Sequence, residues 1–269
     1  SAETSEDMQK LAQEISPLLT EHSNNILLNE ELFVRIKTVY RTKGRLNLDT
    51  EDSTLLETTY KRFARNGALL IATKKKLLRK LNKDLSLTCL NFGENVLAES
   101  NSFELLLTDK MDLAGLPDSA IEASAQLAKE KEKKGWLITL DYPSYIPFIT
   151  YADNRELREK LFKAFSSKAN QGNKYDNKDI VIKIAQLRFD KAQLLGYDSH
   201  AHYVLEERMA KSSDIVKNFL HELLEKSLPA SKNEMNELQN FANSLGGPNT
   251  LQRWDASYYS EKLKKEKLN

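Results

Sequence analysis

The sequence predicts a mainly α-helical protein, a multi-helix lobe carrying at most a small two-stranded ribbon. Three observations lead there. Only 9 glycines and 6 prolines are spread over 269 residues, too few turn-formers for a protein built of many short strands. Charged side chains make up 29% of the chain, dominated by residues that favour exposed helix faces. Apolar residues recur at three-to-four spacing through most of the length, the period of one helix face.

Taken in order, Asn47-Leu48-Asp49 reads as a turn. Leu55-Leu56, Tyr60, Phe63, Leu70, Leu77-Leu78 and Leu81 then fit one long amphipathic helix reaching Leu87. Strand signals are confined to Phe103-Glu104-Leu105-Leu106-Leu107-Thr108 and Trp136-Leu137-Ile138-Thr139-Leu140-Asp141, which can pair as a ribbon with a helix between them. That helix is announced by the capping box Ser119-Ala120-Ile121-Glu122. It ends in a lysine-rich run before Gly135, with cations at the negative end of the helix dipole and glycine just beyond. A second box, Asp153-Asn154-Arg155-Glu156, opens a helix through Leu157, Leu161, Phe162 and Phe165 toward Gly172. From Ile180 the positions Val181, Ile184, Leu187 and Leu194-Leu195 line a helix face, with Gly196 placed for a left-handed C-terminal cap. A further helix starts near Ser199. Ser212-Ser213-Asp214 supplies N-cap chemistry for a stripe of Val216, Phe219, Leu220, Leu223 and Leu224, which Pro229 is expected to stop or offset. Gly246-Gly247-Pro248 reads as a turn, and the last ten residues follow a helix pattern with no terminator, which reads as truncation. No internal repeat or low-complexity linker interrupts the series.

The balance of 40 Lys plus Arg against 39 Asp plus Glu gives no long-range attraction for phosphates or anionic lipid, so nucleic acid is not an expected partner. The longest apolar runs, such as Leu69-Leu70-Ile71-Ala72, fall far short of the ~20 residues of a membrane span. A single cysteine, Cys89, excludes an internal disulfide and suits a reducing compartment. Ser1-Ala2-Glu3-Thr4 shows no signal-peptide pattern. The cytoplasm is the expected location, with the periplasm as the alternative.

Several groups invite a chemical reading. His221 and Glu225 lie four apart in His221-Glu222-Leu223-Leu224-Glu225, but the second histidine of a His-Glu-x-x-His zinc helix is absent, so a solvated helix face is expected. His200 and His202 diverge by roughly 200° on a helix and do not converge on one ion. His22 has no neighbouring ligands. Asp112 with Asp118, and Glu206 with Glu207, are acid pairs without implied geometry. Cys89 reads as a buried, inert thiol. Trp136, Tyr142, Tyr145, Phe148 and Tyr151 around Pro143 and Pro147 fit core packing, with a peptide groove as the other reading.

The stretch from Asp176-Asn177-Lys178-Asp179-Ile180 through Gln186-Leu187-Arg188-Phe189-Asp190, Leu195-Gly196-Tyr197 and His200-Ala201-His202-Tyr203 to Met209-Ala210 resembles the thimet oligopeptidase family of zinc metallopeptidases, and its bacterial peptidyl-dipeptidase (dipeptidyl carboxypeptidase) branch in particular. Gly135-Trp136-Leu137-Ile138-Thr139-Leu140-Asp141-Tyr142-Pro143-Ser144-Tyr145-Ile146-Pro147-Phe148, Tyr151-Ala152-Asp153-Asn154-Arg155-Glu156-Leu157-Arg158-Glu159-Lys160, Leu113-Ala114-Gly115-Leu116-Pro117, Trp254-Asp255-Ala256-Ser257-Tyr258-Tyr259 and Ile15-Ser16-Pro17-Leu18-Leu19-Thr20-Glu21-His22 extend the likeness over essentially the whole chain. The resemblance implies a two-lobed, zincin-type oligopeptidase in which residues 1–269 form part of the helical non-metal lobe, with a sub-boundary near 142–153. It implies zinc in the full-length protein and none in this chain, short peptides as substrates, and a C-terminal catalytic lobe of the same protein as partner. Because no His-Glu-x-x-His occurs here, no catalytic or metal residue is carried over, substrate-binding residues are unassigned, and the fragment is expected to be inactive alone. The alternatives are a fragment of the internally cleaving oligopeptidase branch and a zinc-free helical peptide-binding or scaffold protein.

Overall fold

The computed structural model describes residues 5–268; Ser1-Ala2-Glu3-Thr4 and Asn269 lie outside that range. Its helices are α1 (Glu6–Leu27), α2 (Glu30–Thr42), α3 (Thr50–Phe63), α4 (Ala72–Ser102), α5 (Asp118–Glu130), α6 (Tyr142–Tyr151), α7 (Arg155–Ser166), α8 (Lys178–Leu194), α9 (His200–Leu205), α10 (Ser213–Ser244) and α11 (Arg253–Leu268). The strands β1 (Leu105–Leu107) and β2 (Trp136–Ile138) form an antiparallel ribbon with Leu105 opposite Ile138 and Leu107 opposite Trp136. The mainly α class and the small ribbon are as the sequence predicts. The chain divides into two compact units, the first made of the residues up to Glu94 with Asn177–Lys217, the second of Asn95–Asp176 with the residues from Asn218 onward.

In the first unit, α1, α2 and α3 begin on side-chain caps. Ser5 accepts from the Met8 amide, Asn29 from Leu32 and Asp49 from Asp52, each satisfying an N–H that the first helical turn leaves free. The single long helix expected from Leu55 to Leu87 is two helices. A π-helical turn at Ala64–Ala68 ends α3, and Gly67 adopts φ +97°, where a Cβ would sit 2.4 Å from a Leu78 methyl carbon. The period survives the break because the residues on both sides are buried: Phe63 and Ala68 pack with Phe33, and Leu78 is fully enclosed. Beyond it α4 runs past Leu87 to Ser102. Helix α8 closes at Gly196 (φ +89°) as expected, and Ser199 caps α9 through the His202 amide.

The second unit is built on the ribbon. Leu105, Leu107 and Ile138 meet Tyr145, Phe148 and Ile149 from α6, Ala152 just after it, and Leu161 from α7 in one core. Its caps correct the sequence reading twice. Ser119 lies inside α5, whose N-cap is Pro117 with no side-chain bond, so that capping box does not form. For α7 the cap is Asn154, which accepts from Glu156 and Leu157; Asp153 is drawn away by Tyr258 and Lys262 of α11. The helix before β2 also ends differently. The left-handed position is Glu132 (φ +56°), and the Lys133 amide returns to the Ala128 carbonyl. Gly135, at φ +123°, has another duty: a Cβ there would lie 2.2 Å from the Leu107 carbonyl oxygen, so only glycine lets the chain enter β2. After α7, buried Glu99 orders the next loop by accepting from the Ala169 amide and from Asn173 at 2.7 Å.

Helix α10 departs most from expectation. Pro229 does not stop it, and every residue from 217 to 237 is exposed. The predicted stripe is present as a pattern, yet Phe219, Leu220, Leu223 and Leu224 each expose more than half of their surface. Only its last turns are covered, where Leu238 and Ala242 pack on Tyr258 and Tyr259 of α11.

Candidate functional site

The most concentrated polar chemistry in the second unit lies where α7 meets the start of α11. Arg158 is 1% exposed and Asp255 is fully buried. Arg158 donates to Asp255 at 3.1 Å, to the Ala152 and Asp153 carbonyls at 2.7 and 3.2 Å, and to the Trp254 carbonyl at 3.2 Å. Its guanidinium also lies 3.9 Å from the Tyr258 ring centroid. Asp255 in turn accepts from Arg155 Nε and Nη2 at 3.0 and 2.8 Å and from the Gln252 amide at 3.0 Å. Burial works to raise the Asp255 pKa, but the bonds from Arg155, the Gln252 amide and Arg158 outweigh it and hold the carboxyl below its ordinary value. An ionised carboxylate so surrounded offers no lone pair to a substrate. This is a structural pin, and removing one partner of such a pair costs about 3–5 kcal/mol. Both residues sit in segments that carry the family resemblance, but nothing in the sequence pairs positions 97 apart.

A similar clamp explains one sequence candidate in the first unit. Glu206 accepts from Arg65 Nε and from the Tyr197 hydroxyl, each at 2.6 Å, while Arg65 also reaches the Tyr203 carbonyl. The Tyr197 and Arg65 bonds lower the Glu206 pKa, and its sequence neighbour Glu207 faces solvent. Asp112 accepts from Asn154 at 2.9 Å, whereas Asp118 is exposed in the first turn of α5. Neither acid pair converges on a shared site.

His221 and Glu225 are exposed on α10, and Glu222 pairs with Lys226 at 2.5 Å. His22 is exposed on α1. His202 receives or donates a bond at Nδ1 with Ser199 Oγ, 2.9 Å away, while His200 turns partly inward, its pKa lowered first by burial and then by Arg188 and Lys191. Among the described residues no group of three or more His, Cys, Asp or Glu side chains is placed to hold a metal ion. The described donors therefore do not fit a catalytic zinc.

The aromatic segment is mainly core. Tyr145 stacks on Phe165 at 4.0 Å and Phe148 is 1% exposed, while Tyr151 donates to Glu261 of α11. The groove reading keeps a remnant: Pro143, Ser144 and Phe148 line one side of a cavity of about 270 Å³ whose other walls are Leu116, Leu127 and Leu137. Its polar rim is self-satisfied, with Ser144 Oγ accepting from the Thr139 amide and the Thr139 hydroxyl bonding Asp141. Tyr142, at the mouth of α6, projects into solvent. The arrangement suits an apolar side chain.

Comparison with known proteins gives this geometry its setting. Residues 148–269 match the model of Peptidase family M3. Oligopeptidase A of Salmonella typhimurium is 34% identical over 98% of this chain and 39% of its own length, and Oligopeptidase A of Escherichia coli is 33% identical over the same shares. Dipeptidyl carboxypeptidase of Escherichia coli is 30% identical over 100% of this chain and 40% of its own length. The chain belongs to the thimet oligopeptidase family of peptidases, family M3. It spans about two fifths of the length of the curated relatives it matches.

Proposed function

We propose that this chain is a helical, non-metal part of a zinc metallopeptidase that acts on short peptides, contributing walls to the substrate channel and unable to hydrolyse a peptide bond by itself. The observation that carries the reading is the continuous match to peptidases over 98–100% of the chain, joined to the absence of any His-Glu-x-x-His in its 269 residues. The rest of the same polypeptide, bearing the zinc helix, is the proposed partner. The uncovered apolar stripe of α10 supports this, since a run of Phe and Leu at helical spacing is normally buried against something. The cytoplasm is the proposed location; no described helix is long and apolar enough to cross a membrane.

Within the family we favour removal of C-terminal dipeptides over internal cleavage. The support is the aromatic segment from Gly135 to Phe148, which looks like the peptidyl-dipeptidase branch; identities of 34% to an oligopeptidase A and 30% to a dipeptidyl carboxypeptidase do not separate the two. A zinc-free peptide-binding role is the reading to fall back on.

The test is to incubate this chain, with and without zinc, with a blocked peptide of about ten residues, and then to repeat the assay with the complete source protein. The isolated chain is expected to leave the peptide intact. The complete protein is expected to release C-terminal dipeptides by mass spectrometry. Zinc-dependent cleavage by the isolated chain would overturn the non-catalytic assignment, internal fragments from the complete protein would move it to the oligopeptidase branch, and a source reading frame without a zinc helix would leave the peptide-binding role.

A further inference from the structure

The cavity between α5, β2 and the start of α6 has a closed floor and an open mouth. Leu116, Leu137, Ile138 and Phe148 at its base are each at most 8% exposed, whereas Ala123, Asp141 and Pro143 at its edge face solvent. It exists because the side chains around it are short: α5 contributes Ala120, Ala123 and Ser124 and α6 contributes Pro143 and Ser144, too little to fill the space between the two helices. Protein interiors hold few voids larger than a water molecule, and an apolar hollow of about 150 Å³ already admits benzene. At about 270 Å³ this one has room for an aromatic or branched aliphatic group with a short stem. Asp141 is the only charged side chain in the lining. It occupies the N-cap position of α6 without bonding a helix amide; its Oδ2 accepts instead from the Thr139 hydroxyl at 3.0 Å, which holds the carboxylate at the cavity edge. Among the described residues its Oδ1 has no hydrogen-bond or ion-pair partner, and Lys168 acts on it only through space, its own ammonium standing 3.8 Å from the Phe165 ring centroid.

We propose that this cavity binds a primary ammonium joined by a short stem to an aromatic or branched aliphatic group, the chemistry shared by a small arylalkylamine and by the N-terminal residue of a peptide. The apolar group fills the hollow against Leu116, Leu137 and Phe148, and the ammonium donates to Asp141. The carboxylate selects the charge: an ammonium gains from it and an anion of the same shape is repelled, while the apolar wall favours neither sign. Two features prepare the site. Thr139 already fixes the carboxylate, and Pro143 in the first turn of α6 restricts the backbone beside it, so binding has little left to order. The net charge of +1 gives the chain no general attraction for cations, so a preference for the amine must come from the site itself. The cavity's selectivity is independent of zinc; only its assignment to peptide N-termini rests on the peptidase reading.

The experiment is isothermal titration calorimetry of this chain with 2-phenylethylamine, with 3-phenylpropionate, and with the tripeptide amide Phe-Ala-Ala-NH2. The amine is expected to bind at least roughly tenfold more tightly than the carboxylate, which has the same ring and stem and the opposite charge. Binding of the tripeptide amide as tight as that of the amine assigns the site to peptide N-termini, and binding of the amine alone assigns it to small amines; both support the ammonium site. Ala123→Leu places a good helix former at an exposed position of α5, fills the mouth, and should abolish binding of every ligand. Asp141→Asn keeps the hollow and should shrink the advantage of the amine over the carboxylate to within roughly twofold. No binding of the amine, equal binding of the carboxylate, binding undiminished in Ala123→Leu, or a preference undiminished in Asp141→Asn would overturn the proposal. Because the comparison of amine with carboxylate uses the unaltered protein, a variant that fails to fold does not blunt the test.

Discussion

Two buried polar assemblies in this molecule look alike in composition and differ in completeness. Around Asp255 every charge has its partner: two arginines, a backbone amide and three carbonyls close the set. Around Lys191 the set is looser: its ammonium lies 6.0 Å from the Tyr203 ring centroid, near an amide pair that has one buried donor and one buried acceptor without a protein partner. The difference separates two uses of burial. A closed set fixes how helices dock, because its members lose far more by parting than by staying. A loose set costs stability, because polar groups taken out of water gain nothing in return.

The largest expected effect belongs to the closed set. Asp255→Ala, which strands Arg158 in a site 1% exposed, should lower unfolding free energy by about 3–5 kcal/mol in a denaturant titration. The double variant Asp255→Leu with Arg158→Met should lose clearly less than the sum of the single losses; additive losses would show that the pair is not coupled. The same pair sets an acid limb. Its carboxyl pKa is lowered on folding, so its contribution is complete above the unfolded value of about 3.9 and is lost as pH falls through the lower folded value. Asp255→Asn should flatten that part of the stability profile.

Next in size is Gly135→Ala. A methyl group 2.2 Å from the Leu107 carbonyl, at φ +123°, should cost roughly 2 kcal/mol or more and weaken the ribbon. Caps come third. Asn154→Ala should cost about 1 kcal/mol, while Ser119→Ala should stay within about 0.5 kcal/mol, because only Asn154 bonds helix amides. The smallest effect belongs to the loose set. Lys191→Met should raise the thermal midpoint slightly, and more at pH 7 than at pH 10, because the charge it removes is the one burial disfavours. A lower midpoint would mean that the contact of Lys191 with the Tyr203 ring outweighs the cost of burying its charge.

The sequence made the helical class, the ribbon and the Gly196 cap legible because each is a local pattern: period, alternation, or one glycine at one place. It hid whatever depends on distant residues. The break at Gly67 leaves the apolar period intact, since both flanking helices bury the same kind of side chain. Asp153 has the chemistry of a cap, but Tyr258, 105 positions later, claims it. Glu132 adopts a left-handed backbone that glycine statistics would have given to Gly135, whose small size is needed against β1. For the candidate sites, spacing carried no geometry for the acid pairs, and Lys191, Asn24 and Asn82 come together only when α1, α4 and α8 pack.

The reach of the Arg158 to Asp255 pair also sets a clock. Synthesis at about 5–20 residues per second puts roughly 5–20 s between the appearance of position 158 and the appearance of its partner 97 positions later. During that wait Arg158 is not wholly unsatisfied, because the Ala152 and Asp153 carbonyls lie only six and five positions before it and can hold one end of its guanidinium. The growing chain thus carries α7 forward with its anchor half tied, and the docking of α11 becomes the late event that completes it.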